Sequence, residues 1–247
     1  MVVTRNIINN IEVVEKVSTL LSRLGISYKN IDNYIKSFIH RSIVNERPDF
    51  APEHNERLEF LGDAVLELVI TDSLYNNFHD KNEGDLTDIR SALVRGRNLA
   101  IVSKELEFSN YLFLGKGEDL GGGRESDYLL ANTLEAFIGA IYLDLGLESA
   151  RIFINKYIYT TLDEILENKY FKDFKSLIQE YSQAELDITP TYDVLNEEGP
   201  DHDKNFKVGV YLGEKCIGFG FGSSKKKAQE EAAKNAYENK EKWKNKE

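Results

Sequence analysis

Residues 55–75 read NERLEFLGDAVLELVITDSLY, and their reading decides the fold. Apolar positions recur at three and four, the spacing of an amphipathic helix. As a helix, the stretch puts Glu56, Glu59, Asp63 and Glu67 on one face, because residues three and four apart are neighbours on a helix surface. Leu58, Leu61, Val65 and Leu68 take the adjoining face. Like charges at this spacing cost a few tenths of a kcal/mol per pair. Only Arg57 is near enough in sequence to compensate, and Gly62 adds a penalty of about 1 kcal/mol inside a helix. A segment that breaks local rules in this way points to a function. A row of carboxylates suits a hard divalent cation, which takes oxygen ligands. The bland alternative is an acidic, solvated helix face.

A second helical stretch, 128–143, reads YLLANTLEAFIGAIYL. Asn132 and Glu135 are three apart and share a face, while Leu134, Phe137, Ile138 and Ile141 point into a core. The same helical periodicity runs through 13–25, 86–106 and 129–146, so residues 1–167 read as helical. Pro48 and Pro52 fall in the loop before the acidic helix, and Asn55 is its candidate N-cap. The run LGKGEDLGGGRESD (114–127) is glycine-rich but lacks the GxxxxGK[ST] pattern of a phosphate loop, so it reads as a connection.

The pattern changes at 168–172. A helix (DFKSLIQEYSQAE) follows, then alternating strands (TYDVLNEEG, FKVGVYLG, KCIGFGFG), then a second helix (SKKKAQEEAAKNAYENK). The expected layout is 1–167, a linker at 168–172, a small α-β-β-β-α domain at 173–240, and a charged, fraying tail at 241–247. The fold class is mainly α with an α+β second domain.

At 247 residues and 41% hydrophobic, the chain has material for one or two cores. It shows no apolar run of 18 or more residues, hence no expected membrane span, and no secretory signal at its start. Cys216 is alone and His40, His54, His79 and His202 are scattered, which excludes an intrachain disulfide and zinc-ligand spacing. A reduced, cytoplasmic protein is expected. The net charge is −11, unusual for a nucleic-acid binder. Residues 173–247 carry 12 Lys+Arg against 15 Asp+Glu, and residues 1–172 carry 19 against 27. Any binding to RNA therefore rests on local patches and bound metal ions.

NERLEFLGD resembles the signature of the ribonuclease III family, which cuts double-stranded RNA. The 128–143 helix and the glycine-rich run resemble the family too, and the α-β-β-β-α order resembles a double-stranded RNA-binding domain. Carried over residue by residue, the resemblance implies that Glu59, Asp63, Asn132 and Glu135 ligate a catalytic Mg²⁺. It makes Asp63 and Glu135 the central catalytic pair, with Glu56 and Glu83 lining the site. Glu67 lies outside the motif and reads as solvated or structural. The family usually has Asp where this chain has Asn132. Either the Asn is natural and the neighbouring acids suffice, or it is an engineered change that traps an uncleaved complex; nothing else in the chain looks altered.

Phosphodiester hydrolysis needs an activated water and neutralisation of developing charge, and Mg²⁺ held by carboxylates supplies both. The resemblance further implies a homodimer in which Phe60 packs into the partner, each site cutting one strand. Staggered cuts would leave 5′-phosphate and 3′-hydroxyl ends, and ribosomal RNA precursors and other RNAs are the implied substrates. For RNA binding, Lys225, Lys226 and Lys227 fill the first turn of a helix begun by Ser224. Cations there oppose the helix dipole but suit phosphates. Gln179, Glu180 and Gln183 share one face of the preceding helix, and they and His202 match the family positions that reach successive minor grooves. The rival reading is a duplex-RNA-binding protein whose catalysis is weakened or lost through Asn132.

Overall fold

Glu56–Asn77 form one unbroken helix. A computed structural model describes residues 10–47, 53–167, 174–200 and 204–244. The chain divides into two compact units, Met1–Phe171 and Lys172–Glu247. The expected linker, 168–172, lies outside the described residues, as does His202.

The first unit is built of α1 (Ile11–Leu24), α2 (Ile31–Ser37), α3 (Arg41–Glu46), α4 (Glu56–Asn77), α5 (Glu83–Val94), α6 (Gly96–Glu105), α7 (Lys116–Leu120), α8 (Asp127–Leu145), α9 (Leu147–Tyr157) and α10 (Leu162–Glu167). Alone among the described helices, α8 is long and apolar enough to pass for a membrane span. Its apolar surface is instead covered by α2, α4, α6 and α9. Phe137 stands at the centre, its ring 5.0–5.7 Å from those of Tyr34, Phe38, Phe108 and Phe153. At the far end of α8, Asp144 accepts hydrogen bonds from the Lys29 and Asn30 amides (2.8 Å each) and the Tyr34 hydroxyl (3.0 Å). This fixes α2 against α8.

The α4–α8 contact is the most extensive pairing in the chain. It is made by two glycines that face each other's backbone. A Cβ on Gly62 would stand 2.6 Å from the Glu135 carbonyl carbon and 2.8 Å from the Gly139 amide nitrogen. A Cβ on Gly139 would stand 3.1 Å from the Leu58 carbonyl carbon. The glycine that weakens the isolated helix is therefore what lets the two helices touch. The buried side of α4 carries Leu58, Gly62, Val65, Leu66, Val69 and Ile70. Leu68, assigned by periodicity to the apolar stripe, is instead 55% exposed, because the glycine contact rotates the buried face towards Gly62 and Leu66.

The glycine-rich segment is more ordered than a plain connection. The Glu46 carboxylate accepts from the Lys116 and Gly117 amides at 2.8 and 3.3 Å, satisfying the start of α7. Arg124 then clasps Asp119 and donates to the Ser109 and Leu112 carbonyls.

The second unit comprises α11 (Phe174–Leu186), β1 (Thr191–Glu198), β2 (Asn205–Leu212), β3 (Lys215–Gly222), α12 (Lys225–Glu238) and α13 (Lys240–Lys244). The strands form an antiparallel sheet in the order β1-β2-β3. Ile178, Val208, Val210, Ile217 and the Ala228, Ala232, Ala236 face of α12 make its core. The tail expected to fray is helical as far as Lys244. Trp243 is buried, donates from Nε1 to the Ala236 carbonyl at 2.8 Å, and meets the Tyr181 ring edge-on. One large apolar side chain outweighs the charged composition around it.

Gly62→Ala should destabilise the first unit by about 3 kcal/mol or more, since backbone borders the new methyl. Gly96→Ala, with only the Ala131 Cβ at 3.8 Å, should change stability by less than about 0.5 kcal/mol. Urea denaturation of the two variants checks this; equal, small effects contradict it.

Candidate active site

The start of α4 is set from outside the helix. Asn55 has helical backbone angles and makes no side-chain cap, contrary to the expectation for it. Its buried amide instead donates to the Ser37 carbonyl at 3.1 Å, and its backbone N–H to the Ile39 carbonyl at 2.9 Å. The end of α2 thus fixes where α4 begins, and with it the height of the first two acids.

Glu56 is solvent-facing and pairs with Arg41 (3.5 Å) and His54 (3.8 Å). Arg41 belongs to α3, so the compensating cation comes from tertiary structure rather than from Arg57. Glu59 is half-buried. Burial and the charges of Glu56 and Asp63 raise its pKa, while a hydrogen bond from Asn132 opposes the rise. Glu135 is pushed up to about 8, first by burial and then by Asp63 and Glu59. Two acids of α4 and one of α8 therefore share one electrostatic field across the glycine contact. Among the described residues, none of the three pairs with Lys or Arg. Nor do any three His, Cys, Asp or Glu side chains among the described residues form a ready-made metal cage. The donor chemistry, all hard oxygens with uncompensated charge, fits a hard divalent cation.

A cleft of about 310 Å³ opens beside the acids and is lined by Glu56, Glu59, Asn132, His40, Arg41 and Tyr128. The last three were not singled out from sequence. The HRS triplet at 40–42 is the local signal for His40 and Arg41 and gains meaning only when α3 is folded beside α4, while Tyr128 opens the 128–143 helix. Glu83 does not join the other acids within the chain. It sits at the start of α5, bonded to Thr87, in a separate cleft with Tyr75 and Arg90. Phe60 is 81% exposed and, with Leu68 and Tyr75 (55% and 71%), forms an open apolar stripe along α4.

In the second unit Gln179, Glu180 and Gln183 are exposed on α11, opposite buried Ile178 and Ser182. The Ser224 side chain caps α12 by accepting from the Lys227 amide at 3.2 Å. Lys225, Lys226 and Lys227 are exposed, and Lys225 reaches Glu197 at 2.9 Å. Lys175 bonds Gln229 at 2.9 Å, so the start of α11 lies beside the start of α12.

An acid-lined cleft on a helical unit, followed by an α-β-β-β-α unit with a lysine turn, defines a nuclease joined to an RNA-binding module. The Ribonuclease-III-like family model matches residues 33–162, and the double-stranded RNA binding motif matches residues 174–240. Ribonuclease 3 of Desulforamulus reducens is 42% identical over 224 residues, covering 91% of each chain. Ribonuclease 3 of Streptococcus gordonii is 42% identical over 219 residues, covering 89% of this chain and 94% of that one. A solved nuclease domain of ribonuclease III from Campylobacter jejuni, described for structural flexibility in a region involved in dimer formation, is also similar. It aligns with a TM-score of 0.54 at 34% identity, covering 58% of this chain and 96% of its own. The chain belongs to the ribonuclease III family of endoribonucleases.

Glu135 moves from an ordinary carboxylate value of 4.5 when unfolded to about 8 when folded. The folded state therefore holds the proton more tightly between those values, and its stability falls as pH rises through that window. With divalent cations chelated, the protein should melt lower at pH 8.5 than at pH 6, and Glu135→Gln should flatten the difference. Thermal melts at the two pH values check this; identical pH dependence in parent and variant contradicts it.

Proposed function

We propose that this endoribonuclease is Mg²⁺-dependent and cuts double-stranded RNA as a homodimer. The staggered cuts would leave 5′-phosphate and 3′-hydroxyl ends, in ribosomal and other RNA processing in the cytoplasm. The observation that carries this reading is the convergence of Glu59, Asp63 and Glu135 across the α4–α8 contact with no paired Lys or Arg among the described residues. Glu59, Asp63, Asn132 and Glu135 would hold the metal, and Glu56 would line the cleft. Bound Mg²⁺ activates water and neutralises charge on the phosphate and leaving oxygen.

The chain's residues do the rest. Asn132 lies close enough to Glu59 to lower its pKa, and its amide oxygen is the donor it would offer a cation. The Gly62–Gly139 contact keeps α4 and α8 acids within reach of one phosphate. The lysine turn and the exposed α11 face would bind phosphates and minor grooves of the duplex. His202 would extend that contact.

The open stripe of Phe60, Leu68 and Tyr75 supports the dimer. A two-fold interface sets the same patch against itself. Antiparallel packing of two α4 helices brings the Tyr75 end of one, with Glu83 nearby, to the Phe60 end of the other. In that arrangement Glu83 lines the partner's site.

Incubation of a long RNA duplex with the purified protein, with and without Mg²⁺, should give short staggered products only with the metal. Asp63→Ala and Glu135→Ala should each lower cleavage more than about a hundredfold and leave duplex binding intact. Parental rates in either variant sink the site assignment. Binding without any cleavage by the parent favours the rival, a duplex-binding protein silenced by Asn132.

Phe60→Glu should weaken self-association at least about tenfold. Sedimentation at micromolar concentration reads this out, and an unchanged dimer contradicts the stripe as the interface.

A further inference from the structure

The outer face of the C-terminal sheet, turned away from α12, takes no part in the duplex contacts described. Side chains alternate along β3. Its inner positions are Gly218, Gly220 and Gly222, and a Cβ at Gly218 or Gly222 would stand 2.7 or 2.6 Å from the Ala236 or Ala228 amide of α12. The outer positions are Phe219 and Phe221, 49% and 59% exposed, with centroids 6.1 Å apart and planes at 87°. Helix packing accounts for the glycines; no contact among the described residues covers the two water-facing rings.

Lys207 lies opposite Phe221 on β2, and its ammonium stands 5.2 and 5.6 Å from the two ring centroids. The cross-sheet row of Phe221 reads Asn196, Lys207, Phe221, and that of Phe219 reads Asp193, Gly209, Phe219. Of the acids on β1, Glu197 is taken up by Lys225 at 2.9 Å, Glu198 accepts from the Asn196 amide at 2.6 Å, and Asp193 stands in the Phe219 row with Gly209 between them. Lys207 makes no ion pair among the described residues. The two rings thus share one cation, Lys207, which an RNA phosphate complements and a neutral apolar surface does not. Aromatic rings two apart on a strand, with a cation between them, stack successive unpaired bases and hold the phosphate that joins them. Bases inside a duplex are not available for this.

We propose that this face binds unpaired RNA, a single-stranded extension or an open loop of the substrate, by stacking bases on Phe219 and Phe221 with Lys207 on the intervening phosphate. The inference is independent of the metal site.

The test uses the full chain with divalent cations chelated, so that nothing is cut. Two probes are compared by anisotropy: a blunt duplex of about 16 base pairs, and the same duplex with an unpaired extension of about six nucleotides carrying 2-aminopurine. The extension should tighten binding about tenfold, and its fluorescence should be quenched on binding. The double variant Phe219→Leu/Phe221→Leu keeps apolar area but not stacking. It should lose both effects and bind the blunt duplex like the parent, whereas Phe219→Tyr/Phe221→Tyr should keep both. The proposal is overturned if the extension adds nothing in the parent, if the Leu variant keeps the gain, or if blunt binding falls in step. A Leu variant that alters self-association while quenching persists also overturns it, and makes the patch a protein interface.

Discussion

The close contact of α4 with α8 at Gly62 and Gly139 is the constraint on which the structure depends. The two backbones meet where no side chain fits, and the acids of one helix are thereby brought into the field of the other. An alanine at either position would meet the backbone of the other helix, so the two could not approach as closely. The contact also accounts for an oddity of the chain, a glycine in mid-helix beside a row of like charges. Both features cost the isolated helix, and both become intelligible when α8 is placed against it.

The electrostatics follow from the packing. Glu56 stays in solvent with Arg41 and His54, Glu59 is steadied by Asn132, and Glu135 is driven towards its neutral form by burial and by its neighbours. Burial and the neighbouring acids thus favour the proton on Glu135 when no cation is bound. Stability is given up at the place where charge is needed, a division seen at many functional sites. The second unit shows the opposite economy. Its glycines and alanines bring β3 and α12 together, and its charged groups remain at the surface, where lysines stay available to phosphates.

Much of this was legible in the amino acids. Periodicity placed α1, α4, α8 and the three strands, because those patterns reflect which side is buried, but it ran α5 and α6 together and did not single out α2, α3, α7, α9 or α10. The acids were visible as a rule-breaking face. Other features depended on tertiary neighbours and were not. Asn55 is where a cap belongs, yet it bonds the end of α2. Leu68 has the spacing of a core residue, yet the glycine contact turns it outward. Arg41 and Tyr128 join the cleft from segments distant in sequence. Trp243 pins a tail whose composition reads as solvated. Glu83 stands apart from the other acids within one chain, so its part in the site, if the dimer forms as proposed, depends on a second copy.

Position 132 gives the most direct test of the central claim, that the α4–α8 contact builds a cation site. Asn132 places an amide beside the carboxylates and opposes the rise in the Glu59 pKa. Asn132→Asp adds one negative charge to the cluster. Melting and duplex cleavage of both forms, followed across a Mg²⁺ titration, separate the alternatives. The account predicts that the Asp form is no more stable than the parent without metal, gains more on Mg²⁺ addition, and cuts faster at limiting Mg²⁺. Identical Mg²⁺ dependence of the two forms, in melting and in cleavage alike, would contradict it.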